Sequence, residues 1–189
     1  MIPEKVFHRI LALGDGWRVE RVEYMEEESK VLIRVENTPA LWSAEKCPDC
    51  DRQSVQGYDH APERRWRHLN VCQLQSEVVC ALPRGQCKEC QKVYAVRAPW
   101  EGRSRGLTQE FEAFALTLMR EMPVSKAGEI LGETDQKLWR ALFAHVDAAW
   151  ADLSWEKVVW VGADEMNRKR AQLPEGVRGF GGAAGAIGR

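Results

Sequence analysis

Two stretches, Cys47-Pro48-Asp49-Cys50 and Cys87-Lys88-Glu89-Cys90, decide how this sequence is read. A Cys-x-x-Cys turn is short enough to aim two thiolates at one ion. Two such turns, brought together by the strands between them, close a four-sulfur tetrahedral cage that suits zinc. The spacer between Cys50 and Cys87 is longer than that of the most compact zinc ribbons, yet it accommodates two or three strands with their turns. Four protein ligands leave no position for a reacting water, so Cys47, Cys50, Cys87 and Cys90 are expected to hold a structural Zn2+. Six cysteines in 189 residues are too sparse for a disulfide scaffold. The first residues are charged and no secretory signal is legible. A redox Cys-x-x-Cys normally occurs once, in a βαβ setting that is absent here. Cys72 and Cys80 lie in the apolar stretch between the clips and are read as small buried hydrophobes rather than ligands.

The formal net charge is -1, and no run approaches the apolar length of a membrane span. A cytoplasmic, nucleoid-associated bacterial protein with no membrane partner is expected. The distribution of charge says more than its sum. Residues 61–105 carry nine Lys/Arg against four Glu, the footprint of a DNA-contacting module, although a solvated basic surface has the same composition. Arginines around an aromatic residue, as in Arg64-Arg65-Trp66-Arg67, suit contact with a phosphate backbone, and Arg84 precedes the second clip. His68 is expected to be a surface or hydrogen-bonded histidine, since four cysteines already complete a metal site.

Along the chain, residues 3–13 read as a short amphipathic helix. Trp17–Tyr24 and Lys30–Glu36 alternate with period two, as strands of a hairpin with a polar loop at Glu26–Ser29. Val71–Leu82 and Val93–Val96 read as strands on either side of the second clip. Pro99–Gly106 has the composition of a linker. Thr108 is a candidate N-cap for a helix whose face is Phe111, Phe114, Ala115, Leu118 and Met119, and Pro123 ends it. A short helix over Val124–Leu131, a turn at Gly132 and a third helix from Gln136 to about Val146 make a helix-turn-helix pattern. In that arrangement Lys126, Gln136, Lys137 and Arg140 are the candidate DNA contacts. Ordinary three-helix packing has the same pattern, with Ala127 and Gly128 allowing close contact. Further on, the apolar run Lys157–Ala163 ends in Asp164-Glu165. Acids at the end of a buried strand can hold a divalent cation for phosphoryl chemistry, and a solvated acidic turn is the alternative.

The order of these features (a Cys-x-x-Cys pair, Arg-Trp-Arg-His-Leu, a second pair, a helix-turn-helix unit, and Gly-Ala-Asp-Glu-Met-Asn-Arg-Lys) resembles the amino-terminal part of bacterial insertion-sequence transposases of the ISL-three type, over roughly residues 40–169. The resemblance implies an RNase H-like DDE catalytic domain using Mg2+ in full-length relatives, with Asp164 as the first acid of an incomplete site here. It also implies binding of double-stranded DNA at the terminal inverted repeats of the element, and transposition by DNA cutting and joining. A homodimer is a further possible partner arrangement.

After Lys169 the sequence departs from the family pattern and ends in a Gly/Ala-rich stretch expected to be disordered. If Arg170–Pro174 were encoded CGG-GCA-CAA-CTA-CCT, reading one base later would give Gly-His-Asn-Tyr-Leu, the family's continuation. The expectation is therefore a truncated, frameshifted and catalytically inactive product. The expected fold class is α+β, built of small modules: an N-terminal helix and hairpin (1–46), a zinc ribbon (47–98), a linker (99–106), a helix-turn-helix domain (107–152), the start of an RNase H-like domain (153–169) and a tail (170–189). Two other functions fit the same residues. One is a stand-alone zinc-ribbon and helix-turn-helix DNA-binding regulator. The other is a zinc-stabilised protein-interaction module.

Overall fold

In the computed structural model the described residues are 3–152 and Ser154. They form a mixed α+β structure whose residues up to Asp152 make one compact unit. The elements in chain order are α1 (Pro3–Ile10), β1 (Trp17–Met25), β2 (Lys30–Asn37), α2 (Leu41–Ala44), β3 (Val55–Val71), β4 (Leu74–Cys87), β5 (Val93–Ala95), α3 (Gln109–Glu121), α4 (Val124–Leu131) and α5 (Asp135–Ala151). The expected hairpin is present as β1 and β2, paired antiparallel. The run expected as one strand from Val71 turns at Cys72, which has a positive φ of 57°, and the chain returns antiparallel as β4. Cys72 is consequently exposed, contrary to its reading as a buried hydrophobe, because the turn carries it away from both cores. Cys80 does lie inside, and burial pushes its thiol up to about 12.

The sheet order is β1-β2-β4-β3, with β5 pairing β4. β4 is the strand that joins everything. Its first half runs parallel to β2, from Gln75 to Val79, and its last residues pair with β5. All the while β3 follows it from the turn to Cys87. One face of the sheet, with α1, encloses Phe7, Leu11, Trp17, Ile33, Trp66, Val78 and Trp100. Trp66 and Trp17 each meet Trp100 edge to face, at 5.7 Å and 5.1 Å between ring centroids. That geometry aligns ring edges with ring faces and adds to simple area burial. The segment expected as a linker is itself packed, with Trp100 and Ser104 buried.

The three helices form a second core of Leu107, Phe111, Ala115, Ala127, Leu131, Leu138 and Ala141. Thr108 caps α3: its hydroxyl accepts from the Phe111 N–H at 3.3 Å. Between α4 and α5 the chain turns through Gly132 at φ 67°, the left-handed conformation that ends a helix with least strain on glycine. Gly128 sits under this turn, where an added Cβ would lie 2.8 Å from the Glu133 carbonyl oxygen. The spacing of Gly128, Gly132 and Leu138 thus allows a tight turn between α4 and α5. Among the described residues, no helix is long and apolar enough to cross a membrane.

Candidate metal centre and its surroundings

The two clips are built alike. In each, the first cysteine's N–H donates to the carbonyl five residues on (Cys47 to Arg52, Cys87 to Lys92, both 3.0 Å), and the residue after the second cysteine donates back to the first cysteine's carbonyl. Those following residues, Asp51 and Gln91, both have positive φ, at 55° and 59°. The second clip is the direct continuation of β4. The first is fixed by Lys88 N–H donating to the Ser54 carbonyl at 2.8 Å, and by the ion pair of Lys92 with Asp49 at 3.1 Å. Trp42, from α2, lies over the register pair Gly57 and Gly85, beside the small apolar cluster of Cys47, Val55 and Cys87.

The four sulfurs converge as expected. Cys47 and Cys90 Sγ are 3.6 Å apart, as are Cys50 and Cys87 Sγ, and all four lie within 4.8 Å of one another. A tetrahedral zinc with Zn–S bonds of about 2.3 Å spaces its sulfurs at about 3.8 Å, so the cage has the right size. Backbone N–H groups point at the thiols, which stabilises their charged form. The N–H of Cys90, followed by that of Glu89, holds Cys87 down to about 7. The N–H of Arg52 favours the Cys50 thiolate too, but burial and the neighbouring sulfurs outweigh it and push Cys50 up to about 12. Four thiolates this close repel one another unless a cation sits among them. The donor set therefore fits a Zn2+ held by Cys47, Cys50, Cys87 and Cys90, whose chemistry here is cross-linking and charge neutralisation.

The cations singled out in the sequence have varied surroundings. Arg64 pairs with Glu101 at 2.5 Å and lies over the Trp66 ring at 4.7 Å. Arg65 is exposed, 3.6 Å from Glu77. Arg84 is clamped by both carboxylate oxygens of Asp59. Lys126 pairs with Glu129 at 2.6 Å and Lys137 with Glu133 at 3.0 Å. Gln136 and Arg140 are exposed on α5. Arg67 differs from the rest: it is 4% exposed, which removes it from any phosphate. Its guanidinium donates to the carbonyls of His68, Ser76 and Leu131 and to Asn70 Oδ1, lies 3.3 Å from Glu133 and stacks on Phe111 at 5.0 Å. This side chain ties the sheet to the helices. His68, beside it, is buried and bonds Thr108 Oγ1 through Nδ1 at 2.9 Å. Asp164 lies outside the described residues.

Other exposed cations have no carboxylate partner among the described residues: Lys46, Arg52 and Lys88 at the clips, and Arg97, Arg103 and Arg105 after β5. The sequence signal that could have separated Lys46, Arg52 and Lys88 from the rest is their place beside the Cys-x-x-Cys turns, off the strands. Arg84 stands opposite Asp59 in the β3–β4 register, whereas Lys46, Arg52 and Lys88 lie in turns with no facing strand.

Residues 43–90 match the family model described as the zinc-finger of transposase IS204/IS1001/IS1096/IS1165. The resemblance to the amino-terminal portion of an ISL-three-type transposase therefore holds on the stretch that carries all four cysteines. No curated protein and no solved structure matches the chain.

Proposed function

We propose that this chain is the DNA-binding portion of an insertion-sequence transposase, taking the terminal inverted repeats of its element as duplex DNA. The observation that carries this is the closed four-cysteine cage inside the stretch that matches a transposase zinc finger. Zinc held there would stiffen the clip turns, and with them Lys46, Arg52 and Lys88. Cations on a rigid support neutralise phosphates and release counterions with little ordering cost. The pair α4 and α5 acts as a helix-turn-helix, with Gln136 and Lys137 in the first turn of α5 nearest the bases. In this scheme the ribbon occupies 47–98 and the helix-turn-helix 107–152. Residues 3–152 bind DNA and do not transfer strands; the Mg2+ chemistry belongs to full-length relatives.

The test is binding of the zinc-loaded chain to duplex DNA carrying an element end, followed over a range of salt. Log affinity should fall steeply and linearly with log salt. Lys88→Glu and Arg52→Glu should weaken binding to all sequences alike, each reducing the slope by about 1. Gln136→Ala should instead erode the preference for the element end. Binding that ignores salt, or association with a protein in its place, would favour the zinc-stabilised interaction module.

A further inference from the structure

We infer that the outer face of α5 is a self-association surface, on which a second copy of this chain docks with its own α5 running antiparallel. Along this helix Trp139, Phe143 and Val146 are exposed, at 43%, 56% and 37%. Their spacing is four and three residues, the a/d repeat of a two-helix seam. The opposite face is already used, since Leu138 and Ala141 are fully buried in the helical core. Trp139 and Phe143 stack on each other at 5.7 Å with 24° between their planes, so two large rings form a preset ledge. An amphipathic surface helix normally turns charge, not aromatic rings, to water.

The occupant follows from the charges that flank the seam. Arg140 and Asp147 are exposed, have no ion-pair partner among the described residues, and sit one heptad apart on the same side of the stripe. When two such helices pair antiparallel, equivalent flanking positions face each other across the seam. With the two-fold axis between Phe143 and Val146, Phe143 of one copy meets Val146 of the second copy. Arg140 then faces Asp147 of the second copy, and by symmetry the reverse pair forms as well. The pattern is self-complementary, as a two-fold interface requires. This inference does not rest on DNA binding. It takes Arg140 out of the DNA-facing set and leaves Gln136 and Lys137 at the open end of the helix.

Sedimentation equilibrium of the zinc-loaded full chain, without DNA, tests this. The wild type should sediment at twice the mass of one chain, and Phe143→Asp should be a monomer with an unchanged circular dichroism spectrum. Arg140→Asp and Asp147→Arg should each weaken association by roughly tenfold or more, by setting like charges opposite each other. The double variant should regain most of the loss. If Phe143→Asp fails to fold, the charge variants decide, because both positions are exposed. A monomeric wild type overturns the inference, whether residues 153–189 or DNA is then found to cover the face. Charge reversals whose effects simply add overturn the antiparallel pairing.

Discussion

Arg67, toward the C-terminal end of β3, donates through Nη2 to the main-chain carbonyl of Leu131, the last residue of α4, at 3.1 Å. One side chain thus fastens the sheet to the end of a helix, and it does so with its charge buried. A planar guanidinium can satisfy several carbonyls at once, which a lysine ammonium cannot do in the same geometry. Arg67→Met should destabilise the protein by about 3 kcal/mol, because the carbonyls of Ser76 and Leu131 lose their donor in a dry site. Arg67→Lys should recover less than half of that. Urea unfolding followed by circular dichroism measures both. A cost under about 1 kcal/mol for the methionine variant would mean that the arginine is a bystander.

His68 makes the same junction sensitive to acid. Burial lowers its pKa from the ordinary histidine value, outweighing the pull of Glu110, and the nearby Arg67 lowers it further. Because Thr108 Oγ1 accepts from the Phe111 N–H, its own hydroxyl proton is free to donate to Nδ1, which leaves His68 neutral with its proton on Nε2. The folded pKa lies below the unfolded one. As pH falls below about 6.5 the unfolded chain takes up a proton that the folded chain refuses, so this contribution to stability is present above that pH and is lost on acidification. His68→Asn can still accept from Thr108 and does not titrate. Its unfolding free energy should fall less between pH 7 and pH 5 than that of the wild type, and parallel pH profiles would contradict the assignment.

How much of this was legible in the sequence depends on whether the deciding contact was local. The hairpin, the Thr108 cap, the break at Pro123 and the turn at Gly132 are written in a few adjacent residues, and they appear where expected. The two clips are local as well, and only their meeting is long-range. What could not be read is pairing across distance. That β4 lies parallel to β2 depends on a crossover of some forty residues, and no local pattern marks it. The same holds for charge. Arg65 and Arg67 look alike in sequence and, two residues apart, share one face of β3, yet the helices cover Arg67 and leave Arg65 in solvent. Arg64 and Arg84 read as part of a basic stretch until Glu101 and Asp59 are brought up by the fold, whereas Lys126 and Lys137 have their partners three and four residues away.

The tightness of the α4–α5 turn gives a third prediction. Gly128→Ala would place a methyl group 2.8 Å from the Glu133 carbonyl oxygen, an atom of the main chain that cannot rotate away. The clash must open the turn, at a cost of about 1–3 kcal/mol. At Gly132 alanine would have to hold φ 67°, and its Cβ would meet Gln75, whose flexible end can move aside. Gly132→Ala should therefore cost about 1 kcal/mol, chiefly from the backbone. Thermal melts of the two variants should rank Gly128→Ala as the less stable, and the opposite order would place the strain in the helix cap instead of the helix contact.

Removing the metal should loosen one end of the protein and spare the other. Among the described residues the cluster around the cage buries Cys47, Val55 and Cys87, with Trp42 and Tyr94 partly buried against it, too little apolar surface to hold two turns and the end of a hairpin without a cross-link. The core of Trp17, Trp66 and Trp100 shares the same strands but contains none of the four ligands. Elemental analysis should find one zinc per chain, and Cys87→Ser should lower that value. After chelation, amide exchange should quicken by orders of magnitude at Gly57 and Gly85–Cys87, where the β3–β4 ladder meets the clips. The amides of Trp66, Val78 and Val79 should keep their protection. If exchange rises equally along β3 and β4, the ribbon and the sheet form one cooperative unit; if it rises nowhere, the four cysteines do not depend on a metal for their arrangement. Either result defeats the prediction, because it follows from a cage that stabilises only the strand ends it grips.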